Sequence, residues 1–250
     1  MKDYEYLTLV NKTIRVEKST RKILNKVLDF YTIRNLNQIC HRLGIEEIYG
    51  SIGEGKEAVV FLSRSKSDYY VLKIYKIEKF PMKKLRLYLE ADKRFIAPKS
   101  RSKMVFIWCR KEFSNLKRAF ITGVRCPKAI MFSRNIIVMS LIGQDGQPAP
   151  KLSETELKNP KEFLEELLKD YEKLVKEAQI VHADLSPFNV LVLGEEPYII
   201  DFSQSIRTDG AMAMDWLRRD LENIKEYFEK KYNIGFDLET MYKELLNHIG

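Results

Sequence analysis

The sequence predicts an α+β fold in two lobes, a small antiparallel β-sheet lobe with a helix followed by a mainly helical lobe. Three observations predict it. The front half carries short β-branched runs separated by turn residues. A polar bridge, Gly143-Gln144-Asp145-Gly146-Gln147-Pro148-Ala149-Pro150, then breaks the chain. Beyond it the apolar spacing becomes helical. With 250 residues, 45% of them hydrophobic and 31% charged, the chain can bury a sizeable core. Disorder, collagen-like repeats and a disulfide mini-protein are excluded on that balance.

Residues 1–45 read as an N-terminal helical extension, because Ile23, Leu24, Val27, Leu28, Tyr31, Leu36, Ile39, Cys40 and Leu43 fall mostly at helical spacing. Residues 46–142 form the front lobe. In it Glu57–Leu62 and Tyr69–Tyr75 flank the turn-rich stretch 63–68, which predicts a hairpin. Residues 76–104 are basic and weakly periodic and predict a mobile loop. Arg110–Phe120 predicts a helix with Phe113, Leu116, Ala119 and Phe120 on one face, and Asn135–Ile142 a buried strand. The back lobe, 143–250, starts with a helix whose stripe runs through Phe163, Leu164, Leu167, Leu168, Tyr171, Leu174, Val175 and Ala178. Two short strands, 190–193 and 198–200, and helices at 211–230 and 237–249 complete it.

The charge is unevenly distributed. Between Arg64 and Lys111 there are 15 Lys and Arg against four acids, whereas 151–250 holds 13 against 21. The basic segment is therefore a candidate surface for the phosphates of a nucleotide or of RNA. No window of eighteen residues is apolar throughout, and Met1-Lys2-Asp3-Tyr4-Glu5-Tyr6 does not read as a secretory leader, so a cytoplasmic protein with no membrane partner is expected. Cys40, Cys109 and Cys126 show no Cys-x-x-Cys spacing and read as small buried hydrophobes in a reducing compartment.

The strongest chemical signal follows the long helix. Asp184 is followed five residues later by Asn189, and Asp201 stands at the end of the next strand. This is the kit of a phosphotransferase. One aspartate orients or deprotonates the attacking hydroxyl, while the asparagine and second aspartate hold a divalent cation against nucleotide phosphates. Oxygen ligands suit Mg²⁺, with Mn²⁺ the close substitute. Lys73 lies inside the apolar run Val71–Tyr75, where a charge is costly unless it meets an anion. It reads as the lysine that contacts ATP phosphates, with Glu112 as its carboxylate partner. The loop Gly50–Ala58 nearly fits Gly-x-x-x-x-Gly-Lys, but Glu57 stands where a metal-binding Ser or Thr belongs, and a strand-like run follows it. Gly53, Gly55 and Lys56 therefore read as a glycine loop over the phosphates, with Ala58 in place of a third glycine.

Taken together, these residues resemble the RIO atypical protein kinases, first subfamily, in a short archaeal-like form. The resemblance covers about 45–230. It rests on Gly-Lys-Glu-Ala (55–58), Val-Leu-Lys-Ile-Tyr (71–75), Asp-Lys-Arg-Phe (92–95), Val-Phe-Ile-Trp and Lys-Glu-Phe (105–108, 111–113), Pro-Ala-Pro (148–150), Val-His-Ala-Asp-Leu-Ser (181–186) and Ile-Asp-x-x-Gln (200–204). It implies a bilobal protein-kinase-like fold with ATP in the interlobe cleft. Asp184 is implied as the catalytic aspartate, Asn189 and Asp201 as metal ligands, and Lys73 as the ATP anchor. Ser140 and Ile142 are implied as the hinge positions that meet adenine. The resemblance also implies that Asp201 can accept phosphate in an ATPase cycle, that Ser100 or Ser102 can be autophosphorylated, and that the partner is the pre-ribosomal small subunit or its rRNA rather than DNA. Ala183 in place of an arginine, Ser203 in place of a glycine, and the short stretch after Asp201 imply no phospho-controlled activation segment. Two alternatives stay open: a small-molecule phosphotransferase of the aminoglycoside or choline kinase type, and an idle nucleotide-sensing scaffold that binds rRNA.

Overall fold

Polar and apolar residues alternate between Lys12 and Glu17, and this stretch is a strand: Ile14 and Val16 are fully buried, while Arg15 between them is exposed. The computed structural model describes residues 4–9, 12–17 and 29–249. Strands β1 (Tyr4–Leu9) and β2 (Lys12–Glu17) replace the expected helical extension over this stretch. The β-branched Thr13, Ile14 and Val16, with Ile14 and Val16 two residues apart, favour a pleated, half-buried surface over a helix. The helix expected over 20–43 is described only as α1 (Phe30–Leu43), and residues 18–28 lie outside the described residues. Asp29 caps α1 by accepting the Thr32 N–H at 2.7 Å, and Gly44 closes it in the left-handed conformation that glycine adopts without strain.

The chain divides into two compact units, each built from non-contiguous segments. The first takes the described residues up to Met82, Pro98–Phe113 and Ala129–Leu141. Its seven-stranded sheet runs β1-β2-β3-β4-β5-β7-β6, with β3 (Glu47–Glu54), β4 (Ala58–Arg64), β5 (Tyr69–Tyr75), β6 (Ala129–Ser133) and β7 (Ile136–Ser140). The hairpin read at 57–75 is β4–β5, in register from Ala58↔Tyr75 to Arg64↔Tyr69. All neighbours are antiparallel except β2 and β3, which run parallel through Arg15↔Glu47 and Val16↔Ile48. Their connection includes α1, whose Leu36, Ile39 and Cys40 lie in one fully buried cluster with Val16, Phe61, Leu72 and Val138. That parallel join departs from the purely antiparallel sheet the sequence suggests. A parallel pair needs a crossover of a dozen or more residues, and the segment holding α1 supplies it.

The second unit takes Lys83–Ala97, Ser114–Lys128 and residues from Ile142 on. The stretch read as a mobile loop carries the helix α2 (Met82–Glu90), which buries Leu85, Tyr88 and Leu89 at helical spacing. Tyr88 stacks on Trp216 at 4.6 Å between ring centroids. The next helix, α3 (Arg101–Ile121), begins nine residues before the expected Arg110 and buries Met104, Val105, Trp108, Leu116 and Ala119. Phe120, expected on that face, is 41% exposed. Ser100 and Ser102 therefore sit at the start of α3, where the Ser100 carbonyl accepts the Met104 N–H at 2.9 Å.

After the small pair β8 (Gly143–Gln144) and β9 (Gln147–Pro148) come α4 (Pro160–Lys176), β10 (Ile180–Val181), β11 (Val190–Leu193), β12 (Glu196–Ile199) and β13 (Ile206–Arg207), then α5 (Ala213–Tyr232) and α6 (Leu238–Leu246). The α4 stripe buries Phe163, Leu164, Leu167, Tyr171, Leu174 and Val175, and Phe163 packs on Phe228 of α5 at 6.4 Å. The three cysteines are buried and form no disulfide. Among the described residues no helix is long and apolar enough to cross a membrane.

Candidate active site

In the first unit the apolar sequence of β5 forces Lys73 into the sheet interior. Lys73 pairs in register with Val60 on one side and Ile137 on the other, and is only 8% exposed. Its ammonium is matched by Glu112 of α3, which is 2% exposed, with Nζ 2.8 Å from Oε1. The second carboxylate oxygen accepts the Tyr75 hydroxyl. Glu112 thus reaches β5 at two points, and Lys73 is held by a rigid strand and a rigid helix. Burial raises the thiol of Cys109, beside this pair, well above its ordinary range, so it takes no part in ionic chemistry here.

The glycine loop is the turn from β3 to β4, closed by the Gly55 N–H on the Ala58 carbonyl at 2.9 Å. Lys76 braces it, donating to Glu54 Oε1 and the Gly55 carbonyl, each at 2.9 Å. A Cβ at Gly53 would meet Val60 no closer than 3.7 Å, and one at Gly55 would meet the Ala58 carbonyl at 3.8 Å. Packing therefore demands glycine at neither position. Lys56 at the tip is exposed. Because β4 and not a helix follows, the loop lacks the helix N-terminus that a P-loop uses. Ser140 ends β7 opposite Tyr70 in this unit. Ile142 opens the second unit, its carbonyl accepting the Ala149 N–H at 3.0 Å.

In the second unit a hairpin does the positioning. β11 and β12 pair from Val190↔Ile199 to Leu193↔Glu196, and the Ile200 N–H reaches the Asn189 carbonyl at 3.0 Å. Asn189 and Asp201 are thereby set at the same open end of one hairpin. The Asn189 amide nitrogen is committed to the Asp184 carbonyl at 2.8 Å and its carboxylate at 3.2 Å, which leaves the amide oxygen to face a cation. Gln204 donates to the same Asp184 carboxylate oxygen at 2.9 Å. Ala183 and Asp201 have φ of 64° and 63°, conformations that cost energy for any residue with a Cβ and mark a loop held in place by its surroundings. Every polar atom in the set is oxygen or amide, which suits a hard cation such as Mg²⁺ completed by water and phosphate. Among the described residues no three His, Cys, Asp or Glu side chains gather into a cage.

Sequence reading missed the group that holds this loop. Asp220, fully buried on α5, accepts the N–H of Ala183 at 2.7 Å, the N–H of Leu185 at 2.9 Å and the Tyr171 hydroxyl at 2.8 Å. It thus grips the backbone on both sides of Asp184. Arg219 and Asn223 add donors to the Ala183 and Leu185 carbonyls. Burial pushes the Asp220 carboxyl up to about 7, against the pull of its three donors. The signal was an aspartate inside the apolar stripe Trp216, Leu217, Leu221, Ile224 and Phe228. Asn115 of α3 plays the same part beyond Asp201, donating to the Ser205 carbonyl at 2.7 Å. His182, buried against Phe202, lies 3.0 Å from the Ile200 carbonyl through Nε2.

A family model described as the RIO domain matches residues 58–241. This chain belongs to the RIO family. Among its relatives, the RIO-type serine/threonine-protein kinase Rio1 of Methanocaldococcus jannaschii is 34% identical over 248 residues, which cover 99% of this chain and 83% of that protein. The Rio1 of Haloferax volcanii is 35% identical over 224 residues, 89% of this chain and 77% of that one. Human serine/threonine-protein kinase RIO1 is 36% identical over 218 residues, and there the match spans only 38% of the longer relative. The crystal structure of the Rio2 kinase from Chaetomium thermophilum superimposes with a TM-score of 0.71 at 21% identity, over 99% of this chain and 73% of that one. The bilobal kinase-like fold is therefore shared with RIO kinases. Membership of a serine/threonine kinase family also removes the small-molecule phosphotransferase reading.

Proposed function

We propose that this RIO protein is an ATP-dependent serine/threonine phosphotransferase. In this reading Asp184 serves the attacking hydroxyl, and Asn189 and Asp201 hold Mg²⁺ when it is bound. Lys73, kept in place by Glu112, meets the nucleotide phosphates, and Gly53, Gly55 and Lys56 cover them. Ser140 and Ile142 lie at the adenine positions. The observation that carries the reading is the buried Lys73–Glu112 pair. Two buried charges, one on a strand and one on a helix, cost several kcal/mol of desolvation, so a pair that serves packing alone is poorly repaid. A lysine positioned to meet phosphate has a reason to be there. Magnesium, when present, supplies charge neutralisation across the phosphates.

Asp201 is also the proposed phosphate acceptor of an aspartyl-phosphate step. A related fold, the Rio2 kinase of C. thermophilum, is known as an ADP/Mg²⁺-phosphoaspartate complex, with a TM-score of 0.70. The test is incubation with γ-labelled ATP and Mg²⁺. Label on the protein that hydroxylamine releases, and that Asp201→Ala abolishes, is the expected result. Acid-stable label alone would move the acceptor to a serine, with Ser100 and Ser102 the first to check. No label and no free phosphate, with ATP still bound, would leave the idle scaffold as the better reading.

Lys73→Ala is expected to weaken ATP binding at least about tenfold more than adenosine binding, since an ammonium on phosphate is a charge-assisted contact. Equal losses measured by titration would reduce Lys73 to packing. The basic stretch 64–111 is proposed to meet RNA of the pre-ribosomal small subunit in the cytoplasm. Binding to a structured RNA should then fall steeply with salt as counterions are released, and a flat salt response would remove this partner.

A further inference from the structure

Two arginines of the second unit converge on a single neutral side chain, with a third close by, away from any role assigned above. Gln179, the residue before β10, has φ of 53°, and its amide oxygen accepts both Arg118 Nη2 at 3.1 Å and an Nη2 of Arg207. Arg118 also donates through Nε to the Ala178 carbonyl. The carboxylates whose charge reaches Arg207, Asp209 and Asp92, are each paired with another cation, Lys93 and Arg94. The third, Arg94, is already neutralised, with Nε and Nη2 on the two oxygens of the fully buried Asp92 at 2.9 and 2.6 Å. Its Nη2 bonds Asn115 Oδ1 at 2.6 Å, and Asn115 in turn bonds the Ser205 carbonyl two residues from Arg207. At the rim Lys93 pairs with Asp209 at 3.7 Å, a couple that cancels itself.

The count leaves two uncompensated positive charges at one point. Like charges held together repel, and a neutral amide oxygen offsets little of that. Burial first, then the charges of Arg118 and Arg94, push the Arg207 guanidinium below the ordinary value, against the opposing pull of Asp209 and Asp92. Arg118 and Arg207 are both half-buried, so solvent reaches them, and most of their donors are not used by protein acceptors.

We propose that Arg118 and Arg207, backed by Arg94, form a binding site for a phosphate dianion, either free phosphate or a phosphomonoester on a side chain. Two converging guanidiniums match the charge of about −1.5 to −2 and the three oxygens of a monoester. A nucleic-acid backbone offers singly charged diesters spaced along a strand, which a track of cations fits better than a single convergent pair. The site uses none of the residues assigned to phosphotransfer, so it stands or falls independently of that reading.

The experiment is calorimetric titration of the full chain with inorganic phosphate, with phosphoserine and with a short single-stranded RNA. A non-hydrolysable ATP analogue and Mg²⁺ are kept saturating, so that any nucleotide site is already filled. Saturable binding of phosphate or phosphoserine is expected, about tenfold or more weaker in Arg207→Gln and in Arg118→Gln, with analogue binding unchanged. The tighter of the two probes names the source of the phosphate. Because Arg118 also holds the Ala178 carbonyl, Arg207→Lys provides a gentler variant: it keeps the charge, loses the planar fork and should still lose affinity severalfold. Unsaturable binding, equal affinity in the variants, or RNA binding without phosphate binding would each overturn the site.

Discussion

Asp184→Asn is expected to lower ATP turnover about 10²–10⁴-fold while changing thermal stability little. The substitution is isosteric, and its amide oxygen can take the place of the carboxylate oxygen that accepts from Asn189 and Gln204 at 3.2 and 2.9 Å. What it removes is the negative charge and the basic oxygen proposed to orient a hydroxyl for attack. Steady-state turnover beside a melting curve separates the two effects. Turnover within a fewfold of the parent would take Asp184 out of the chemistry, and loss of folding would make it a structural acceptor for the loop.

The second large effect is expected at a residue that touches no substrate. Asp220→Ala leaves the N–H groups of Ala183 and Leu185 and the hydroxyl of Tyr171 without their acceptor in a buried place. Breaking such an arrangement costs roughly 3–5 kcal/mol. It also frees the backbone on both sides of Asp184, and a displacement of that aspartate by about 1 Å is enough to lower turnover about 10²-fold. Asp220 is thus a positioning residue, and its signature is a fall in kcat at nearly unchanged KM for ATP. Asp220→Asn provides a milder version, since one oxygen remains to accept while its NH₂ faces a donor.

Asp220 also makes a pH prediction. Its folded-state value of about 7 lies above the ordinary carboxyl value of 3.8. The folded protein keeps the proton over a range in which the unfolded chain has released it. The contribution is therefore fully present below about pH 4 and is lost as pH rises through about 7. Unfolding measured at a series of pH values should show a downward slope across that window that is absent in Asp220→Asn. An identical slope in the two proteins would mean that the three donors hold the carboxyl ionised throughout.

Several elements were legible because they are written in local periodicity. The hairpin β4–β5, the stripe of α4 and the closing helices follow from which residues a strand or a helix places on one face. The segments that escaped reading were those whose pattern is short or ambiguous. β2 shows alternation over only six residues, and α2 offers one buried turn, Leu85, Tyr88 and Leu89, among lysines and arginines. The tertiary core decides such cases, because a short segment gains its structure by burying a face against something else.

By itself, the sequence determined the chemical parts: a lysine inside an apolar strand, two aspartates and an asparagine at fixed spacing, and a glycine loop leading into a strand. Those are properties of neighbours along the chain. The Lys73–Glu112 pair, 39 residues apart, was expected from the sequence, but only the tertiary structure decided what holds the aspartate loop, since Asp220 lies 37 residues from Ala183. The Arg118–Arg207 cluster likewise converges on Gln179 from segments separated in sequence. A buried carboxylate on an amphipathic helix looks like a misplaced charge until the fold brings the donors to it, since burial is tolerable only where distant backbone or side-chain groups replace lost water.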